Sequence, residues 1–485
     1  MKFPRLFRPF NRRQFPTPLQ KRYGAARAGA VSFFVLALFG VGLVFSGSAG
    51  AAEKPCRVDR LLSLARQKNL HADRYWHILM HYEQKLTGVE SQVDDPEFFL
   101  AENGKTDPAA ELAATIRYLF GEQPSDQNKA VCRFYARYRW LKQAFGQDFP
   151  GCFADRSCPS IERIDPKSAS LVFPTYYMNS PASMFGHTLL IIDTAYTNKR
   201  LSNAVNYAAV TEGSDGLSLA VSGLTGLYKA YYSVMPYYKK IQEYSDINQR
   251  DIWEYRLNLT PEELDRMVWH IREMDQIYSD YYFFSENCSY SLLYLIEAAR
   301  PSVHLTDRFE LAAIPIDTVK AVKEEGLIED AEFRPAKATR IDYLIDQLDA
   351  GQLEIVKALI NGTTAPAELL KRPVPREEKI RMLDLVVEVI QYRFVSEEID
   401  KAAYRDQLLA ALRVRSELGR SGTDWQKNIP VPAQPEKAHD SRRIGAGVGI
   451  QSGDVFYELR FRPALTDLTD MDYIHDQGAQ LEFGD

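Results

Sequence analysis

Two side chains, Cys288 and His187, combine residue types and settings that could do chemistry together. Cys288 stands in Phe283-Phe284-Ser285-Glu286-Asn287-Cys288-Ser289-Tyr290, directly ahead of the apolar run Leu292, Leu293, Leu295, Ile296. That run predicts a helix beginning at the cysteine. A thiol in the first turn of a helix faces unpaired backbone N–H groups and the positive end of the macrodipole, which lower its pKa and favour the nucleophilic thiolate. His187, in Ser183-Met184-Phe185-Gly186-His187-Thr188-Leu189-Leu190-Ile191-Ile192, opens a run that reads as a buried strand. It is the only histidine between Cys158 and Glu254, so a base drawn from the strands is this one. A thiol attacking an ester or amide needs such a base, a third group to orient it, and N–H donors for the oxyanion. The Cys288 N–H is a natural oxyanion donor. Asn206 is the expected orienting group, with Asp193 as the alternative. Taken singly, each has an ordinary reading: a packed cysteine, a core histidine, an asparagine closing a strand end. The combination points to catalysis.

The surrounding elements must bring residues a hundred positions apart together. Residues 52–150 show helical spacing, as in Leu61, Leu62, Ala65 and Leu112, Ile116, Leu119, and predict an N-terminal helical subdomain. Within 151–310 the runs Leu189 to Ile192, Ala204 to Val210 and Ile252 to Leu259 read as strands. Thr260-Pro261-Glu262-Glu263 is a capping box that starts a helix running to about Ile277. Helical spacing returns over 311–419, and 420–443, rich in Pro, Ser, Lys and Asp, reads as a linker. Residues 444–485 alternate small or aromatic residues with polar ones around Gly453-Asp454, a two-stranded pattern of the kind found in barrels. Because a lone hairpin is marginal in water, these strands are expected either to join the main sheet or to begin a barrel continued beyond residue 485, and we favour the barrel. The fold class is α+β.

Composition bounds the compartment and the partners. Residues 1–30 carry eight Lys or Arg and no Asp or Glu, followed by an apolar run from Val31 to Phe45 and a small-residue tail ending in Ala49-Gly50-Ala51. This reads as a secretory signal over 1–51 with an A-x-A cleavage site; the rival reading is an uncleaved single anchor. Loss of the signal takes the formal charge from -6 to -14, so nucleic acid is not an expected partner. Export favours disulfides. Cys56, Cys132, Cys152 and Cys158 can form two, by any of three pairings, which leaves Cys288 as the odd thiol.

At this point the motifs resemble a known family. The order Gly186-His187, then Glu286-Asn287-Cys288, is similar to the permuted papain-like fold of the NlpC/P60 and lecithin:retinol acyltransferase group, in which His precedes Cys. More closely, Ser180-Pro181-Ala182-Ser183-Met184-Phe185-Gly186-His187-Thr188, Glu286-Asn287-Cys288-Ser289 and Ala136-Arg137-Tyr138-Arg139-Trp140-Leu141 resemble the Lnb N-terminal periplasmic domain, over roughly residues 130 to 300. The resemblance implies a lipoprotein N-acyltransferase acting at a membrane surface. Its phospholipid donor would pass a fatty acyl chain to Cys288 as a thioester and on to the N-terminal amine of a lipoprotein, with His187 acting as base and then acid. It implies a periplasmic, membrane-associated location, the outer membrane included.

Two further classes compete: a cell-wall peptidase or amidase using the same pair, and a non-catalytic envelope protein built around a barrel. The pair His77 and His81 has metal-ligand spacing, but it lacks the Glu of a zinc protease and a third ligand, so no metal or cofactor is expected. The paired tyrosines Tyr176-Tyr177, Tyr231-Tyr232, Tyr237-Tyr238 and Tyr281-Tyr282 flank the active-site segments, and tyrosine suits a mouth that is apolar on one side and wet on the other. Residues Gly213 to Gly226 read as a loop over the site.

Overall fold

A computed structural model describes residues 58–462 apart from 122–126, 150–156, 177–185, 195–197, 211–221, 224, 311 and 423. The expected signal segment, Cys56, Cys152, the residues Ser180 to Phe185 and most of the glycine loop lie outside the described residues.

The N-terminal helices Val58–Gln67, Arg74–Leu79, Pro108–Phe120 and Tyr135–Phe145 are joined by a small hairpin of β1 (Tyr82–Lys85) and β2 (Gly88–Ser91). Their apolar side chains share a core with the sheet. One apolar cluster runs from Leu61 through the sheet to Leu327. Its polar centre is Arg137, fully buried, paired with Glu111 at 2.9 Å and with Glu273, and donating to the Phe98 carbonyl at 2.9 Å. The Arg137 motif therefore joins the N-terminal helices to the helix Pro261–Glu273.

The central sheet has seven antiparallel strands: β3 (Ser168–Pro174), β4 (Leu189–Asp193), β5 (Asn203–Ala209), β6 (Tyr228–Pro236), β7 (Ile252–Leu257), β8 (Tyr278–Tyr281) and β9 (Ile328–Arg334), in the order β8-β6-β5-β4-β3-β7-β9. The two-residue period of strands sorts the side chains. Leu171, Leu190, Ile192, Val205 and Tyr207 face the main core and the helices Pro261–Glu273 and Cys288–Ala299. Val172, Leu189, Ile191 and Ala204 face the opposite side, under Tyr237, Ile241 and Tyr244. The capping box is present, with Thr260 and Glu263 bonding each other's backbone, and its helix ends at Glu273. Strand β9 falls where helical spacing was expected. It is half-exposed at the sheet edge, where pairing with β7 rather than an apolar pattern specifies it. Beyond it, the helices Lys337–Asp346, Ala350–Ile360, Arg376–Val395 and Lys401–Glu417 enclose a second core.

Among the described residues, the last strands, β10 (Arg443–Gln451) and β11 (Asp454–Arg462), pair only with each other. They do not join the main sheet. The connecting segment is less free than its composition suggests, because Glu436 accepts from Tyr255 Oη at 2.6 Å and from Lys323 Nζ at 3.0 Å.

Candidate active site

Asn287 decides how the Cys288 helix begins. As N-cap, its Oδ1 accepts from the N–H groups of Ser289 (3.0 Å) and Tyr290 (3.2 Å), while its Nδ2 donates to the carbonyls of Phe283 (3.0 Å) and Ala313 (2.7 Å). Cys288 is thereby the first helical residue, at the end of the sheet where β4 starts. The backbone of Thr188 and Ser289 and the Tyr281 hydroxyl are its polar neighbours, and all three act to lower the thiol pKa.

The expected thiolate is not the resting form. Burial, with only 5% of Cys288 exposed, raises the thiol pKa above its ordinary value, against the lowering by the Thr188 backbone, Tyr281, the Ser289 backbone and Arg250.

His187 precedes β4 by two residues, on the face it shares with Leu189. Gly186 permits this placement. It has φ +92°, and a Cβ there would lie 2.6 Å from the Phe173 ring. On β5, Asn206 follows the same two-residue period as Ala204, and its Oδ1 accepts from His187 Nε2 at 2.8 Å. An amide oxygen only accepts, so Nε2 carries the proton and Nδ1 is left as the basic nitrogen. Asn206 is 3% exposed and the imidazole is half-buried, with its ring 5.7 Å from that of Tyr244. Burial pushes the His187 pKa down to about 3, against the Asn206 bond and aided by the Lys240 and Arg250 charges. The alternative, Asp193, is at the far end of β4, where it accepts from Ser202 at 2.6 Å and from Ser168.

Thr188, the residue after His187, has its backbone near Cys288, which puts the histidine segment and the start of the Cys288 helix at one end of the sheet. No direct hydrogen bond links ring and sulfur among the described residues. Cys288 is a neutral thiol, and His187 is a neutral imidazole oriented by Asn206.

The individual role of Tyr281 was not legible in the sequence, which showed only a tyrosine pair. Its hydroxyl is a polar neighbour of Cys288, from the end of β8 at the sheet edge beside the helix start. Glu286, half-buried two residues before the nucleophile, has its carboxyl pKa raised to about 7 by burial and the nearby Glu83.

His77 and His81 do not converge. Their helix ends at Leu79 and His81 takes φ 52°, so the four-residue spacing no longer defines one face. His77 Nε2 bonds the His71 carbonyl at 3.0 Å, whereas His81 Nε2 meets His270 Nε2 at 2.9 Å. Cys132 and Cys158 form a disulfide with Cα atoms 5.2 Å apart, and Cys288 is a free thiol.

Residues 158–325 match the family model of the Lnb N-terminal periplasmic domain, which contains His187, Asn206 and Cys288. The flanking segments 68–144, 331–424 and 432–485 match the domains of unknown function DUF7843, DUF7842 and DUF7840. No curated protein and no solved structure matches the chain. The periplasmic domain match supports a periplasmic protein of the cell envelope. Among the described residues, no helix is long and apolar enough to cross a membrane.

Proposed function

We propose that this protein is a cysteine-dependent acyltransferase of the cell envelope that moves a fatty acyl chain from a phospholipid to the N-terminal amine of a lipoprotein. The observation that carries the reading is a free, capped Cys288 with the Thr188 backbone among its polar neighbours, next in sequence to a His187 held at Nε2 by Asn206. The match of this segment to the Lnb domain supports the lipid substrate class.

In the first half-reaction Cys288 Sγ attacks an ester carbonyl of the phospholipid while His187 Nδ1 accepts the thiol proton. The oxyanion is met by the Cys288 N–H and the Tyr281 hydroxyl. Collapse breaks the acyl–oxygen bond, and the imidazolium returns its proton to the leaving lysophospholipid oxygen, leaving a thioester. In the second, the neutral amine of the acceptor attacks the thioester, His187 takes the amine proton, and the sulfur leaves and is reprotonated. The neutral resting pair suits this order, since the proton moves only as the new bond forms.

The test is intact-mass measurement after incubation with phospholipid vesicles. Wild type is expected to gain one acyl mass that neutral hydroxylamine removes, and Cys288→Ser to gain none. Cleavage of peptidoglycan fragments with no acyl adduct would instead identify a cell-wall amidase or peptidase. No turnover of either substrate by folded protein would leave a non-catalytic envelope protein.

A further inference from the structure

One polar atom beside the nucleophile has no use in the resting protein. Thr188 is fully buried, and its Oγ1 has no hydrogen-bond partner among the described residues. Buried hydroxyls are nearly always paired, because one taken out of water without a partner costs free energy. A valine of the same shape would fill the space without that cost. An unpaired hydroxyl kept at such a position therefore calls for a function.

Strand alternation says which way that hydroxyl faces. His187 and Leu189 take the side of β4 that lies under Tyr244, so Thr188 takes the side of Leu190 and Ile192. Carrying the β3–β4 and β4–β5 registers one step further sets Thr188 between Phe173 and Tyr207, both in the main core. That is the face on which the Cys288 helix packs. The Thr188 backbone is itself among the polar neighbours of Cys288. His187 and Thr188 are thus adjacent in sequence and serve opposite sides of one strand.

The chemistry of sulfur explains a donor without a partner. A neutral thiol is a weak donor and a weak acceptor, so it leaves the hydroxyl unpaired. A thiolate carries a full charge, and hydrogen bonds to charged groups are about twice as strong as neutral ones. We infer that the Thr188 hydroxyl is a further catalytic donor, held unpaired at rest, that bonds Cys288 Sγ as the sulfur becomes a thiolate. The thiol proton passes to His187 Nδ1, while the hydroxyl keeps its own proton and only donates it. Because the donor is in place beforehand, nothing has to reorganise when the charge develops.

The inference rests on Cys288 as the nucleophile, and its test needs no lipid. The rate of iodoacetamide alkylation at Cys288 is followed by peptide mass at about pH 8, on the rising limb of the thiolate profile. Thr188→Val removes the donor and keeps the shape. It should slow alkylation roughly three- to tenfold, a loss of thiolate offset in part by the greater nucleophilicity of a more basic thiol. Its melting midpoint should equal or exceed that of wild type, because no resting hydrogen bond is lost. Thr188→Ser keeps the donor and should alkylate within about twofold of wild type, although the lost methyl lowers its stability. Alkylation of a folded Thr188→Val protein at the wild-type rate overturns the proposal, as does a Thr188→Ser protein as slow as Thr188→Val. So does a Thr188→Val midpoint well below wild type, since the hydroxyl would then be paired at rest. A wild type that takes no acyl group, with alkylation in the expected order, refutes the acyl-transfer reading and leaves the Thr188 assignment intact.

Discussion

Replacing Asn206 with Ala tests the geometry of the site most directly. The 2.8 Å bond from His187 Nε2 is made by the neutral ring at rest and by an imidazolium once the thiol proton has moved. A hydrogen bond to a charged group contributes about 1.5–3 kcal/mol and one between neutral groups about 1 kcal/mol. The neutral share is present before reaction and cancels, leaving about 0.5–2 kcal/mol of transition-state stabilisation. That is a loss of roughly two- to thirty-fold in rate. Asn206 is also almost fully buried, so an unpaired Nε2–H costs the fold about 1–3 kcal/mol. The assay is the single-turnover rate of acyl adduct formation by intact mass, with denaturant unfolding alongside. Asn206→Asp keeps an acceptor at the same place and should retain more of the rate than Asn206→Ala. A wild-type acylation rate in a folded Asn206→Ala protein, with Cys288→Ser still inert, would refute the assignment of Asn206 as the orienting group.

Three other outcomes are expected. Alkylation of Cys288 by iodoacetamide should climb about tenfold per pH unit up to and beyond pH 8.5, because thiolate appears only as pH rises through a raised pKa. With His187 neutral above about pH 3, no acid plateau is expected, and a plateau between pH 4 and 6 would mean a preformed ion pair instead. Slow labelling at neutral pH is thus expected of an active protein and does not by itself mark a non-catalytic one. Tyr281→Phe removes the hydroxyl near Cys288 and should slow acylation roughly 100-fold, the lower end for an oxyanion donor, while unfolding midpoints stay near wild type. Arg137→Met strands Glu111 and Glu273 in the core, where burial already raises both carboxyl pKa values, and should cost about 3–5 kcal/mol in denaturant titration. A loss below about 1 kcal/mol would show that the pair is not the keystone between the N-terminal helices and the sheet.

The local signals were legible wherever a backbone rule and a side chain agreed. The Thr260–Glu263 box, the strand at Leu189–Asp193 and the helix opening at Cys288 follow from capping and periodicity, which act over a few residues. Asn206 was legible only as one of two candidates, with Asp193, since the sequence does not say which polar strand residue lies beside His187; the structure gives that bond to Asn206. Strands β8 and β9 were not, since they are short, partly exposed edges whose pairing partners lie far away in sequence.

What the sequence determined by itself was the candidate thiol and imidazole and their order along the chain, since residue type and cap are written locally. The tertiary structure alone decided their protonation and company. Burial outweighed the helix terminus at Cys288, the end of β8 delivered Tyr281, and the left-handed turn at His81 separated two histidines that the spacing had aligned. Desolvation and approach between distant strands depend on the whole packed core, so no local window of residues contains them.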